Sequence, residues 1–334
     1  MRTLAAVIPQ PQAPVAVEEI TVPSPGPGEV LVRMEACGLC HSDLMIAGLA
    51  KLPLAPLVLG HEGIGRVVEV GPDVRGVARG ERVGITFLDS SCGECDFCRD
   101  GRERFCARQV NTGYTRHGAM AGYALGAAQN LVRVPETLAP AAVAPLCCAG
   151  WTAYCAIRET GLHAEQSVAI YGLGGLGHLG LQYARRRGLR VAGVDVVQAK
   201  LEFARKLGAE AAFPSEGSGR ALQKQWGGVD AAVVFTATPE AVGEAVRSLR
   251  RTGTLVLVGL STRAAELSVQ DAVLKGLTIR GSYLGTRADL EEVFRLAAEG
   301  VGLPHVETFA LAQAPRLLEE MRAGRLLGRA VVVF

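Results

Sequence analysis

The chain has 334 residues, a length that suggests two domains and is ample for a large buried core. Hydrophobic residues make up 49% and charged residues 20%, ordinary for a soluble globular protein. A net charge of +2 gives no argument for nucleic acid or an acidic membrane as partner, and nine cysteines without a secretion signal favour thiols and metal in a reducing cytoplasm over disulfides.

The N-terminal stretch has a short apolar run cut by Pro9 and Pro11, which reads as a strand rather than a signal peptide. Residues 29–36 form a strand after the turn Pro25-Gly-Pro-Gly28, and residues 65–70 and 82–86 form two more. Residues 137–157 carry no charge and are long enough to span a bilayer. Pro140, Pro145, Gly150 and the many alanines argue for a buried stretch instead.

From Ser167 the rhythm becomes strand and helix in alternation. Strands are expected at 167–171, 190–195, 211–213, 229–235, 254–258 and 277–282, with helices at 175–187, 198–207 and 239–250 between them. Apolar strands separated by helices mean a parallel sheet covered on both faces. Helices at 288–299 and 315–323 and a closing strand at 330–334 follow.

Four cysteines, Cys92, Cys95, Cys98 and Cys106, have the spacing C-x2-C-x2-C-x7-C. Three thiolates converge from one tight loop and the fourth closes a tetrahedron, the geometry of a structural zinc. Two disulfides in a small knot would be the competing reading, which the intracellular composition disfavours.

Gly172-Leu-Gly-Gly-Leu-Gly177 fits G-x-G-x-x-G between a strand and a helix. Gly172 permits a tight turn, Gly174 lets backbone approach a pyrophosphate, and Gly177 lets the helix pack on the sheet. Gly175 and Leu176 complete the loop, whose helix N-terminus faces the phosphates. Asp195 ends the next strand, where an acidic residue bonds a ribose 2′-hydroxyl and repels a 2′-phosphate, favouring NAD over NADP. His178 reads as a residue of the helix's first turn.

Cys40-His41-Ser42-Asp43 and Gly60-His61-Glu62-Gly63 hold a second set of ligand types. Cys40, His61 and a later cysteine would make the open site of a catalytic zinc. Cys147 and Cys148 both qualify as that cysteine, and spacing alone does not choose between them.

With these motifs in one order, the chain resembles the zinc-dependent medium-chain alcohol dehydrogenases of the bacterial and yeast tetrameric type, over essentially its whole length. The resemblance implies an α/β protein with a GroES-like β-rich catalytic domain, residues 1–150 and 286–334, and a Rossmann NAD-binding domain, residues 151–285. It implies two zinc ions per chain, the catalytic one on Cys40, His61 and Cys148, with Glu62 able to reach the metal when ligands exchange. Asp43 then orients His61, and Ser42 bonds the substrate alcohol. His41 and Arg329 meet the pyrophosphate, Thr152 packs on the nicotinamide and Lys200 reaches the adenosine ribose. The partners it implies are a small alcohol or aldehyde and further copies of the chain, as a tetramer or a dimer.

Two departures concern the substrate pocket. Met45 stands where relatives often carry a proton-relay histidine, and Trp151 is larger than the residue usual there. A polyol or amino-alcohol dehydrogenase is therefore the nearest alternative. A zinc-free quinone or enoyl reductase, or a non-catalytic NAD-binding protein, would have no reason to keep the three ligands.

Overall fold

The computed structural model describes all residues from Met1 to Phe334. The chain forms two compact units, Met1–Ala149 with Gly285–Phe334, and Gly150–Leu284.

The first unit is built on the strand Glu29–Gly38. Its alternate residues Val30, Val32 and Met34 are buried in a core with Leu39, Leu59, Ile85 and Met120. One edge pairs antiparallel with Glu62–Val70, from Val30 opposite Val70 to Gly38 opposite Glu62. The other edge is shared: Tyr123–Ala127 covers residues 29–33, and the last strand, Arg329–Val333, covers residues 36–38. Val306–Ala310 pairs parallel with that last strand, while Arg82–Ile85 extends the sheet beyond Glu62–Val70. The last strand is thus joined to the spine strand in one sheet, and the helix His41–Ala47 starts where the spine strand stops.

The second unit is a six-stranded sheet in the order Ala211–Pro214, Arg190–Asp195, Ser167–Tyr171, Val229–Val234, Leu249–Leu257, Thr278–Gly281. Every pairing is parallel. All residues of Ser167–Tyr171 and Val229–Val234 are buried, as expected of central strands covered on both faces. The order reverses beside Ser167–Tyr171, the switch point where such sheets bind ligands.

The structure adds elements that the residue pattern does not announce. Val306–Ala310 lies at the end of its sheet with mostly exposed side chains, so it lacks an apolar signature. Leu249–Leu257 begins ahead of the expected strand because Arg250, Arg251 and Thr252 continue it with exposed side chains. The helix Ser218–Trp226 has only Leu222 as a large buried apolar residue. Within residues 137–157 the helix Pro140–Val143, a 3-10 turn Ala144–Cys147 and the helix Ala149–Glu159 follow one another, and no single helix is long and apolar enough to cross a membrane.

Tyr183, on the helix Gly177–Arg186, is fully buried and its hydroxyl has no protein partner. Its ring packs edge-on against Tyr154, with centroids 5.5 Å apart. A buried donor without a partner costs more than the hydroxyl contributes. Tyr183→Phe keeps the ring and is expected to stabilise the protein by roughly 1 kcal/mol, measured by chemical denaturation; a loss of stability would mean that the hydroxyl is satisfied after all.

Candidate metal centres and coenzyme loop

Cys40 precedes the helix His41–Ala47 as its N-cap. His61 precedes the strand Glu62–Val70, and Cys148 follows the 3-10 turn Ala144–Cys147. The Sγ atoms of Cys40 and Cys148 are 3.9 Å apart, and the ligand atoms of all three residues lie within 4.8 Å of one another. Two sulfurs bound tetrahedrally to one zinc at about 2.3 Å stand about 3.8 Å apart. Cys147 faces the other way, its Sγ 3.6 Å from the carbonyl of Gly63. The structure thus brings Cys148, not Cys147, to Cys40 and His61.

Asp43 is the organiser of this pocket. It is fully buried. Its carboxylate accepts the N–H of Cys40 at 2.8 Å and that of Gly60 at 3.2 Å, and Oδ1 lies 3.4 Å from His61 Nδ1. The edge of the His61 ring meets Phe87, centroids 5.3 Å apart and planes at 80°. Neither nitrogen of His61 has a well-formed hydrogen bond, though the ring is completely buried. A buried imidazole with neither nitrogen in a well-formed hydrogen bond, beside two thiols, is a donor set suited to zinc.

The charges fit the same conclusion. The hydrogen bond from Cys148 pulls the Cys40 thiol well below its ordinary pKa, with His61 and Arg329 assisting against burial. Burial opposes charge on His61, but Asp43 and Cys40 outweigh it and raise the imidazole well above its usual value. Burial pushes the Glu62 carboxyl up to about 8, against the pull of Arg329. Arg329 Nη2 lies 2.5 Å from Glu62 Oε2 and 2.6 Å from the carbonyl of Leu39. The N–H of Ala149 donates to Glu62 Oε1 at 3.3 Å. A Cβ on Gly38 would stand 2.1 Å from Glu62 Oε2, so the end of the spine strand must be glycine for Glu62 to turn inward.

Ser42 is half-buried, with its Oγ 3.7 Å from Cys40 Sγ. His41 is exposed and Met45 is 37% exposed. Thr152 and Trp151 are buried on the helix Ala149–Glu159.

The other four cysteines form a separate cluster. Cys95 Sγ is 3.5 Å from Cys98 Sγ, Cys106 Sγ 3.5 Å from Cys92 Sγ, and Cys92 Sγ 3.8 Å from Cys98 Sγ. All four lie within 4.8 Å of one another. The backbone N–H of Glu94, then that of Cys95, draws the Cys92 thiol down to about 6, and Arg108 N–H donates to Cys106 Sγ at 3.3 Å. These spacings match the edges of a zinc tetrahedron, and all nine cysteines are free thiols.

In the second unit, Gly172 has φ +87° and turns the chain out of Ser167–Tyr171. A Cβ on Gly177 would meet the carbonyl oxygen of Gly172 at 1.9 Å, whereas one on Gly174 would enter open space. The loop is closed on its own fold at one end and clear for an incoming phosphate at Gly174. Asp195 accepts the N–H of Leu173 at 2.7 Å and of Val197 at 3.0 Å, with Lys200 Nζ 4.0 Å away. Its two oxygens keep lone pairs free for a ribose. Phe87 and Gly38 carry no motif and were outside the reach of sequence reasoning; only their neighbours in space give them a role.

Residues 26–136 match the alcohol dehydrogenase GroES-like domain and residues 175–299 the zinc-binding dehydrogenase domain. An alcohol dehydrogenase of Geobacillus stearothermophilus is 41% identical over 332 residues, 98% of each chain. The chain belongs to the zinc-dependent medium-chain alcohol dehydrogenases. Among solved structures, the alcohol dehydrogenase of the archaeon Aeropyrum pernix aligns with a TM-score of 0.91 at 28% identity, over 99% of this chain and 100% of that one. An NAD-dependent alcohol dehydrogenase aligns with a TM-score of 0.90, also at 28% identity, over the full length of both. This family member is an alcohol oxidoreductase that works with zinc and NAD on a small-molecule substrate.

The two adjacent cysteines give a direct test. Cys148→Ala is expected to lose one zinc of two by elemental analysis and to abolish alcohol oxidation. Cys147→Ala should keep both metals and cost on the order of 1 kcal/mol in stability from the small cavity left behind. The reverse pattern would mean that the ligand is Cys147.

Proposed function

We propose that Cys40, His61 and Cys148 hold the catalytic zinc of an enzyme that interconverts a primary or secondary alcohol with its aldehyde or ketone. The observation that carries this reading is the convergence of the three buried ligand atoms within 4.8 Å of one another, with neither imidazole nitrogen in a well-formed hydrogen bond. In the same reading, Met1–Ala149 with Gly285–Phe334 is the catalytic domain and Gly150–Leu284 the coenzyme domain.

Zinc held by Cys40, His61 and Cys148 would supply a Lewis acid for the alcohol oxygen, and NAD held at the glycine loop would supply a hydride acceptor. The chain's own residues do the rest. Asp43 fixes the His61 ring and both ligand-bearing backbones. Ser42 Oγ relays the alcohol's proton, accepting it as the hydroxyl passes its own proton on. Met45, one turn further along the helix, is a thioether that accepts no proton at neutral pH, so the proton passes on to water. Arg329 holds Glu62 by its second oxygen and keeps it poised beside the metal ligands. Gly172, Gly174, Gly175, Leu176 and Gly177 receive the pyrophosphate, and Asp195 with Lys200 receives the adenosine ribose. His41, Arg329 and Thr152 complete the coenzyme contacts. Cys92, Cys95, Cys98 and Cys106 hold a second zinc that fixes their loop.

The protein works as a homo-oligomer, with a tetramer favoured over a dimer, in the cytoplasm. Support for self-association comes from the second unit. Its last strand, Thr278–Gly281, is paired on one edge only and all four residues are exposed. Leu260, Val269, Val273, Leu274 and Ile279 expose apolar side chains in the same stretch of chain, and such a strand edge is a template for a second copy.

Two measurements test the reading together. NADH oxidation over a panel of aldehydes, ketones and sugars is expected to find a carbonyl substrate whose turnover disappears on metal chelation and returns with zinc. NAD is expected to exceed NADP in kcat/KM by at least about tenfold, the effect of roughly 1.4 kcal/mol of repulsion at Asp195. Val196, next in sequence and 82% exposed, offers a 2′-phosphate no compensating charge. Equal values for the two coenzymes would refute the assignment of Asp195.

A further inference from the structure

His178 follows the glycine loop directly and is the second residue of the helix Gly177–Arg186. It is 2% exposed. Its Nδ1 lies 2.7 Å from the carbonyl oxygen of Gly174, and its backbone N–H reaches the same oxygen at 3.3 Å. A carbonyl only accepts, so Nδ1 carries the proton in this contact. The other side of the ring meets Phe203 of the helix Gln198–Lys206, with centroids 6.1 Å apart.

The consequence lies in the geometry of the peptide bond. The carbonyl of Gly174 and the N–H of Gly175 belong to one planar trans unit and point in opposite directions. A Gly174 carbonyl held back toward the helix by two donors from His178 turns the Gly175 N–H outward, into the mouth of the loop. Glycine on both sides of this peptide leaves it free to flip without such a restraint. The Gly172–Leu173 peptide, earlier in the loop, has its own lock, because Leu173 N–H is bound to Asp195. An anion at a helix N-terminus is held by backbone N–H groups aimed at it.

We propose that His178 is a positioning residue for the coenzyme: its Nδ1–H fixes the Gly174–Gly175 peptide so that the loop meets the pyrophosphate preorganised. The proposal rests on the reading of Gly172 to Gly177 as the pyrophosphate loop. It assigns to a side chain that touches no coenzyme a share of coenzyme affinity, because a loop already ordered loses less entropy on binding.

The test uses the full-length, zinc-loaded protein. Wild type, His178→Leu and His178→Asn are titrated with NADH by fluorescence and melted with and without NADH. Leucine keeps apolar packing on Phe203 but removes the donor; asparagine returns an amide N–H close to the position of Nδ1. His178→Leu is expected to raise the Kd for NADH by about five- to tenfold, the loss of one buried hydrogen bond, and to raise the KM for NAD in parallel with a smaller change in kcat. His178→Asn is expected to recover most of the affinity. A leucine variant that melts earlier yet binds NADH like wild type would overturn the proposal in favour of simple packing, as would an asparagine variant as weak as leucine. Should the leucine variant not fold, the imidazole 15N spectrum of the wild type decides: a proton on Nδ1 supports the proposal and a proton on Nε2 overturns it. Wild-type protein that fails to bind NADH would overturn the reading of the loop itself, and this proposal with it.

Discussion

One buried carboxylate holds the metal pocket together. Asp43 is bonded to the backbone at Cys40 and at Gly60, and it faces the ring of His61. Cys40 and His61 come from different segments, a helix start and a strand start, and Asp43 touches both. A full negative charge without solvent is costly unless donors surround it, and here the donors are the ligand-bearing segments themselves. The requirement to satisfy Asp43 is therefore also the requirement that sets the distance between the ligands. Glu62 and Arg329 form a second buried pair beside it, so the pocket's charges balance within a few residues.

What the sequence made legible is what it keeps local. Cys92 to Cys106 supply four ligands from one loop, and their spacing alone implies the tetrahedron that the sulfurs form. Gly172 to Gly177 and Asp195 lie in consecutive elements, so the turn, the helix start and the acidic partner are readable together. The unbroken apolar runs at Ser167–Tyr171 and Val229–Val234 likewise announced central parallel strands.

What stayed hidden depends on contacts across the chain. Cys147 and Cys148 are adjacent and both buried; the backbone turn at Cys148, φ −134° and ψ −67°, separates one sulfur toward Gly63 from the other toward Cys40. For Arg329 the resemblance implies only a cation that meets the pyrophosphate; its burial against Glu62 depends on the last strand reaching back across the chain. Phe87 is one aromatic among several until His61 lies against it. His178 could be placed in a helix's first turn but not given a task, because its partner is a carbonyl, and carbonyls are invisible to residue-type reasoning.

The last strand also has a bearing on how the protein is made. Arg329 reaches back 290 residues to the carbonyl of Leu39 and 267 to Glu62, and Val331 to Val333 pair with the end of the spine strand. During synthesis the three zinc ligands emerge long before this strand does. Until Arg329–Val333 is available, Glu62 lacks its arginine partner and residues 36–38 of the spine strand have a bare edge. Assembly of the pocket therefore waits for the strand Arg329–Val333, and a chain that lacks this strand presents the ligands without the frame that holds them.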